Sequence, residues 1–291
     1  MRILILGVSG LIGHKLFQEL SSDLEVFGTL HKTKEQYGNI GLFKGNNIIE
    51  NIDVCESDVL KGVLQAVNPD VILNCVGITR RKINPENTIE ILTVNSVLPH
   101  VLAKWAELNH KRVIHFSSDC VFDGSIGNYS DYSPVTPKDL YGQSKALGEI
   151  NYTQSLTIRS SFIGQELFGK TELLEWFLSQ EGKEIKGYVK TLYSGVSTIF
   201  MSRVVRNIIL NYPDLSGIYN LASEQPISKF ALLSLAKEAF GVNVTIVPDT
   251  DHIHVPTLDA SELKRKMRLT VPSWREMMKE LASNNSIYSI V

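Results

Sequence analysis

Tyr141 and Lys145 stand four residues apart, and Ser117, Ser118 and Asp119 lie a short way upstream. Residues 140–150 read as a helix, because Ser144, Lys145, Ala146, Leu147 and Glu149 are compatible with one and Pro134 and Pro137 fall before its first turn. A four-residue offset sets two side chains on one helix face, one turn apart. A phenol beside a fixed ammonium is a proton donor in the making: the cation favours phenolate and is expected to pull the Tyr141 pKa below its ordinary value of about 10. That chemistry suits protonation of a carbonyl oxygen as hydride arrives at carbon. Tyr-x-x-x-Lys is a common pattern by itself, so the rest of the chain must supply the hydride and the positioning.

The hydride carrier has a natural seat at the N-terminus. Arg2 to Leu6 is an apolar run of buried-strand type. It ends at Gly7-Val8-Ser9-Gly10-Leu11-Ile12-Gly13, and residues 14–20 then read as helix. Strand, glycine turn and helix let the backbone approach a pyrophosphate and aim the unpaired N–H groups of a helix start at it. The bland alternative is a tight turn with no ligand. The next strand, residues 25–30, is followed by His31, Lys32 and Lys34 with no acid. An NAD-specific site carries Asp or Glu there for the ribose hydroxyls, so the bases favour a 2′-phosphate and hence NADPH over NADH. Otherwise they are a solvated loop.

The elements that must position these groups alternate. After Asp53, which either meets the adenine end of a cofactor or caps a turn, residues 57–67 form a helix with Ser57 as its expected N-cap. Residues 71–76 are an apolar strand whose end carries the small residues Cys75 and Gly77, leaving room for a nucleotide at the strand tip. Arg80, Arg81 and Lys82 either meet a phosphorylated substrate or are a solvated run. Residues 89–108 read as one long helix. Asn95 lies inside its apolar stripe, either positioning backbone or water near the site or simply satisfied in the core. The strand 111–116 delivers Ser117 and Ser118 to its carboxyl end, where ligands collect in open parallel sheets, and a serine hydroxyl there can bond a substrate oxygen.

Alternation of strands and helices predicts an α/β chain with a doubly wound Rossmann-type parallel sheet. Residues 1–158 are expected to form a dinucleotide-binding domain carrying the Ser/Tyr/Lys site. Residues 159–291 are expected to be mainly a smaller substrate-binding lobe, part of it returning to the sheet. A strand is expected at 156–159, across the boundary between the two. Helices are expected at 173–178, 204–210, 228–240 (capped by Ser228), 259–267 and 273–281. A loop is expected at 182–188, a short strand at 217–221, and fraying over the last ten residues.

Composition bounds the rest. The 291 residues carry a net charge of −2, which offers no charge-based case for a nucleic-acid or membrane partner. The first apolar run is too short for a signal peptide, and no stretch reaches the length of a membrane span. Cys55, Cys75 and Cys120 are few, odd in number and not in metal-ligand spacing. They fit a reduced, cytoplasmic setting as small apolar fillers, and no metal site is expected.

With Gly7, Gly10, Gly13, Ser118, Tyr141 and Lys145 in this order, the chain resembles the extended short-chain dehydrogenase/reductases. More narrowly it resembles the dTDP-4-dehydrorhamnose reductase family, in its sugar-nucleotide-binding branch. The carrying stretches are 68–75 (NPDVILNC), 94–96 (VNS), 117–124 (SSDCVFDG), 141–145 (YGQSK), Gly148-Glu149, 173–177 (LLEWF), 195–198 (GVST) and Leu258-Asp259. The resemblance implies reduction of the 4-keto group of a nucleotide-diphosphate 4-keto-6-deoxysugar, a step towards cell-surface polysaccharide precursors, and it admits a homodimer. Tyr141 would protonate the oxygen, Lys145 would bind the nicotinamide ribose, and Ser118 would hold the keto oxygen. The NADP(H) set, with NAD(H) admitted, would be Gly7, Ser9, Gly10, Leu11, Ile12, Gly13, His31, Lys32, Asp53, Cys75, Val76, Gly77, Asn95, Ser117, Tyr141 and Lys145. Ser118, Asp119, Phe162 and Arg80 would face substrate. Two other functions share the fold: a nucleotide-sugar epimerase or dehydratase, and a non-catalytic cofactor-binding regulatory subunit. Departures from the family are Ser118 in place of Thr, Phe162 in place of Trp, and Val255-Pro256 in place of Arg-Pro.

Overall fold

Every second residue of a strand faces the same way, and the first strand shows what this chain does with that rule. In β1 (Arg2–Leu6), Ile3 and Ile5 enter one core and Leu4 and Leu6 enter another, all fully buried. A strand apolar on both faces belongs in the middle of a sheet covered on both sides. A computed structural model of the protein, which describes residues 1–38, 40–284 and 288, places it there. The remaining sheet strands are β2 (Glu25–Thr29), β3 (Ile48–Ile49), β4 (Val71–Asn74), β5 (Arg112–Ser117), β6 (Leu156–Arg159) and the strand Gly217–Asn220. Their order across the sheet is Gly217–Asn220, β6, β5, β4, β1, β2, β3, and every pairing is parallel. This is the doubly wound Rossmann-type sheet.

Helices cover both faces. α1 (Gly13–Leu20) and the helix Thr198–Asn211 pack together over the face bearing Ile3, Ile5, Leu73, Ile114 and Ile158. α2 (Ser57–Val67) and a long helical path cover Leu4, Leu6, Ile72 and Val113. That path is α3 (Thr88–Leu92), a π-helical turn Thr93–Val97 and α4 (Leu98–Leu108), rather than the uniform helix expected. The reason lies in Pro99, which has no N–H to give the Asn95 carbonyl. The turn widens instead, and the Leu98 N–H bonds Thr93 five residues back. The freed Asn95 carbonyl lies against Gly148, where any Cβ would overlap it.

Several boundaries differ from expectation. Glu56, not Ser57, is the N-cap of α2. Residues 184–188, expected as loop, form the strand Glu184–Tyr188, because they pair in parallel with Thr245–Asp249, a partner sixty residues on that no local pattern reveals. Ser228 does cap the helix Lys229–Phe240, its Oγ accepting from the Ala231 N–H. The helices Ser261–Met267 and Trp274–Ser283 follow. Of the last ten residues, expected to fray, Ala282 and Ser283 are helical and 285–287 and 289–291 lie outside the described residues. Cys75 borders the core as a filler should, whereas Cys55 is exposed. Among the described residues no helix is long and apolar enough to cross a membrane.

Candidate active site

β1, β4 and β5 are neighbours in register, Leu6 opposite Asn74 and Asn74 opposite His115. Their carboxyl ends therefore release Gly7, Cys75 and Ser118 side by side, at the point where successive connections leave for opposite directions along the sheet. This is where open α/β sheets bind ligands. The glycine turn touches the β4 tip directly: a Cβ on Gly7 would meet Val76 Cγ2 at 3.0 Å and Cys75 at 3.5 Å.

α5 (Leu140–Leu147) brings the Tyr–Lys pair to the same place. Its N-cap is Asp139, whose Oδ1 accepts from the Gly142 N–H at 2.9 Å. Arg80 Nε meets the other oxygen of Asp139 at 2.7 Å and so ties the loop after β4 to the start of this helix. Gly142 is required where α5 meets the Cys120 carbonyl, since a side chain would overlap it. Lys145 Nζ, buried at 5 % exposure, donates to the Phe116 carbonyl of β5 at 2.6 Å. Ser118 Oγ accepts from the Cys120 N–H at 3.1 Å, donates to Asp119 Oδ1 at 3.1 Å, and stands beside the Tyr141 phenol as a hydrogen-bond partner. Ser118, Tyr141 and Lys145 are thus gathered at one strand tip, next to the glycine turn.

The electrostatics correct one expectation. Lys145 does not pull the Tyr141 pKa down: burial pushes that phenol above its ordinary value, with the neighbouring Cys120 acting the same way and the Ser118 hydrogen bond opposing it. The ammonium is spent on the Phe116 carbonyl, and it is itself depressed to about 8 by burial, with Glu149 and Cys75 opposing the shift. The result still serves proton donation. Tyr141 stays protonated at neutral pH, which a general acid needs.

Other expected site residues fall as follows. α1 starts behind Ile12 with no side-chain cap and no acid in its first turn, so its N-terminal end remains available to an anion. Gly7 has φ +83°, and a Cβ on Gly13 would overlap the Gly7 carbonyl oxygen, so the cradle exists only with glycine at both positions. Ser9 Oγ bonds the Tyr37 hydroxyl at 3.4 Å. His31 and Lys32 are exposed at the end of β2, whereas Lys34 is drawn to Glu50 at 3.4 Å. Asp53 caps a turn, its Oδ1 accepting from the Cys55 N–H. Asn95, fully buried, holds the Ile78 backbone through both amide groups at 2.9 Å and the Ser144 hydroxyl at 3.1 Å. It therefore locks the loop containing Gly77 to α5. Ser117 Oγ donates to Glu149 at 2.8 Å. Phe162 packs edge-on to Phe116, with ring centres 6.0 Å apart, and is half-buried.

A family model described as RmlD substrate binding domain matches residues 1–286. The chain belongs to the RmlD substrate binding domain family. Among curated relatives of this RmlD-family chain, the methionine adenosyltransferase 2 subunit beta of Danio rerio is 24 % identical over 86 % of the chain and 77 % of its own length. The dTDP-4-dehydrorhamnose reductase of Aggregatibacter actinomycetemcomitans is 23 % identical over 79 % of the chain and 86 % of its own length. A crystal structure of dTDP-4-dehydrorhamnose reductase from Bacillus anthracis in complex with NADP superposes with a TM-score of 0.80, at 18 % identity, covering 98 % of this chain and 99 % of that one. The fold of that protein and the fold of this RmlD-family member are the same.

Sequence reasoning missed the support under the site. Arg159 grips Glu149 with two bonds of 2.7 Å, and both side chains are only 5 % exposed. The Asp131 carbonyl and the Phe122 ring hold the rest of the guanidinium. Glu149 in turn bonds Ser117 and supports the charge of Lys145. The four-residue spacing from Lys145 to Glu149 was visible, but α5 ends at Leu147, so Glu149 reaches Lys145 from just beyond the helix and not from its face. Glu172, Tyr193, Lys229 and His254 were also overlooked, because they reach the cleft from segments distant in sequence.

Proposed function

We propose that this chain is an NADPH-dependent oxidoreductase that reduces the 4-keto group of a nucleotide-diphosphate 4-keto-6-deoxysugar, as its dTDP-4-dehydrorhamnose reductase relatives do by name. The observation that carries it is the grouping of Ser118, Tyr141 and Lys145 at the β5 tip beside the glycine turn. Gly7, Ser9, Gly10, Leu11, Ile12 and Gly13 would hold the pyrophosphate of NADP(H), with His31 and Lys32 at its 2′-phosphate and Cys75, Val76 and Gly77 flanking it. The cofactor supplies the hydride. Ser118 orients the keto oxygen and Tyr141 gives it a proton, while Lys145 supplies positive charge as negative charge builds on that oxygen. Residues 1–158 then serve as the dinucleotide-binding part and 159–291 mainly as the substrate-binding lobe.

The test is NADPH oxidation on addition of a 4-keto-6-deoxy sugar nucleotide, with Tyr141→Phe expected to lose turnover by about 10²–10⁴-fold while still binding NADPH. Full turnover in that variant would remove Tyr141 as the acid. Stoichiometric NADPH consumption excludes an epimerase, which returns its hydride. The likeness to the methionine adenosyltransferase beta subunit supports a second reading, a cofactor-binding regulatory subunit. Co-purification of a stable partner with no turnover on any sugar nucleotide would favour it.

A further inference from the structure

Three segments far apart in sequence are stitched together opposite the Ser118 turn. The Lys229 N–H donates to the Thr191 carbonyl at 2.9 Å, Thr191 is bridged to His254, and the Leu192 N–H donates to the His254 carbonyl at 2.9 Å. Val255 then donates to the Gly124 carbonyl at 2.9 Å, and the His254 ring lies over Gly124, where any Cβ would overlap it. Gly124 follows Ser118-Asp119 by one short loop. The stitching therefore sets Lys229 and His254 against the catalytic turn.

Three of the side chains gathered there, Lys229, Arg80 and Arg81, are cationic, whereas burial lowers the His254 pKa and leaves it a neutral imidazole that can still donate a hydrogen bond. Lys229, His254, Arg80 and Arg81 share one electrostatic neighbourhood with Asp119, and Lys138 reaches it from the loop before α5. Asp119 already accepts from Ser118, and Arg80 is engaged by Asp139. Lys229 is different. It is half-buried, and its ammonium has no hydrogen-bond or ion-pair partner among the described residues. Burial lowers its pKa, with Asp119 and Cys120 opposing the shift. An ammonium drawn partly out of water without a counter-ion costs free energy unless an anion arrives to meet it. Beside it, the buried Tyr193 hydroxyl also lacks a partner among the described residues, and its strand Leu192–Tyr193 pairs with Ile227–Ser228, immediately before Lys229.

We infer that Lys229, with His254 beside it, is the group that holds the anionic diphosphate of a nucleoside-diphosphate ligand and so sets the substrate's reach towards Tyr141. This rests on the reductase reading for the identity of the ligand. Lys229 comes from the C-terminal half of the chain, while the reacting groups come from the N-terminal half.

The experiment is titration calorimetry of the full chain with dTDP and UDP, and separately with thymidine and uridine, for wild type, Lys229→Gln and Lys229→Arg. Lys229→Gln should weaken both diphosphates by about tenfold or more, the size of one charge-assisted hydrogen bond, while nucleoside and NADPH affinities stay unchanged. Lys229→Arg should restore most of the loss. In turnover, Lys229→Gln should raise KM for the sugar nucleotide far more than it lowers kcat. Unchanged diphosphate affinity in Lys229→Gln, or no diphosphate binding by wild type, overturns the inference. The two readings fail separately. Diphosphate binding through Lys229 without any turnover sinks the reductase, whereas turnover with an unaltered KM in Lys229→Gln sinks the anion site alone.

Discussion

Glu149→Gln is the perturbation with the largest consequence relative to its size. The substitution keeps shape and one acceptor oxygen but removes the charge facing Arg159, whose Nε and one terminal nitrogen both bond this carboxylate at 2.7 Å. With both side chains at 5 % exposure, water cannot replace the lost charge. Breaking such a pair by removing one partner costs about 3–5 kcal/mol, and the retained amide oxygen places this case near the lower end. Against a total stability of about 5–15 kcal/mol that is a large fraction. The assay is denaturant unfolding of wild type, Glu149→Gln, Arg159→Met and the double variant, with Glu107→Gln as control. Glu107 pairs with Lys104 at 2.7 Å, but the two are 47 % and 66 % exposed, so its loss should cost a small fraction as much. The double variant should recover part of the loss, since the unpaired Arg159 charge is gone, though Lys145 still lacks its carboxylate. A second readout follows from Lys145, whose pKa of about 8 is held up by Glu149. Removing that carboxylate should lower it further and move the alkaline limb of turnover to lower pH. Equal unfolding midpoints for Glu149→Gln and Glu107→Gln would refute the reasoning.

Three more outcomes are expected. Gly13→Ala should lose NADPH binding in a fluorescence titration and destabilise the fold by about 1–3 kcal/mol or more, because its methyl would overlap the Gly7 carbonyl; retained affinity would count against the cradle. Lys32→Glu should weaken NADPH relative to NADH, read as the ratio of the two Kd values, and an unchanged ratio would return Lys32 to the solvated surface. His14, fully buried between the Gly10 carbonyl at 2.8 Å and the Tyr288 hydroxyl at 2.7 Å, has its pKa lowered to about 4 by burial. The unfolded chain therefore takes up this proton below about pH 6.5 and the folded one only near 4, so stability should fall as pH drops through that window. His14→Gln should flatten the slope of unfolding midpoint against pH between 7 and 4, though not abolish it, because His115 is shifted in the same direction.

What could be read without coordinates was whatever local pattern determines. The apolar runs of β1, β4 and β5 have no alternative to a covered parallel sheet, and the glycine turn and Tyr141–Lys145 spacing are short-range signals. The Glu184–Tyr188 strand was illegible because Lys186 and Gly187 weaken its apolar pattern and its partner is distant. The direction of the Tyr141 shift was misread because sequence shows that a cation is near but not how much water is excluded, and exclusion dominates here. The widened turn at Asn95 needed Pro99 to be weighed as a missing donor, which the apolar stripe of residues 89–108 does not show. Lys229 and His254 meet only through the stitching of three remote segments.

The strand Gly217–Asn220 closes the sheet against β6 and so makes the two halves of the chain inseparable in practice. A truncation after residue 158 would strip β6 of its neighbour and bare a row of unpaired amides and carbonyls beside Leu156 and Ile158. Such a fragment invites edge-to-edge association before it can be assayed for dinucleotide binding. Chimaeras that swap recognition halves between relatives should therefore carry this strand along with the N-terminal part, splicing around it rather than through the obvious midpoint.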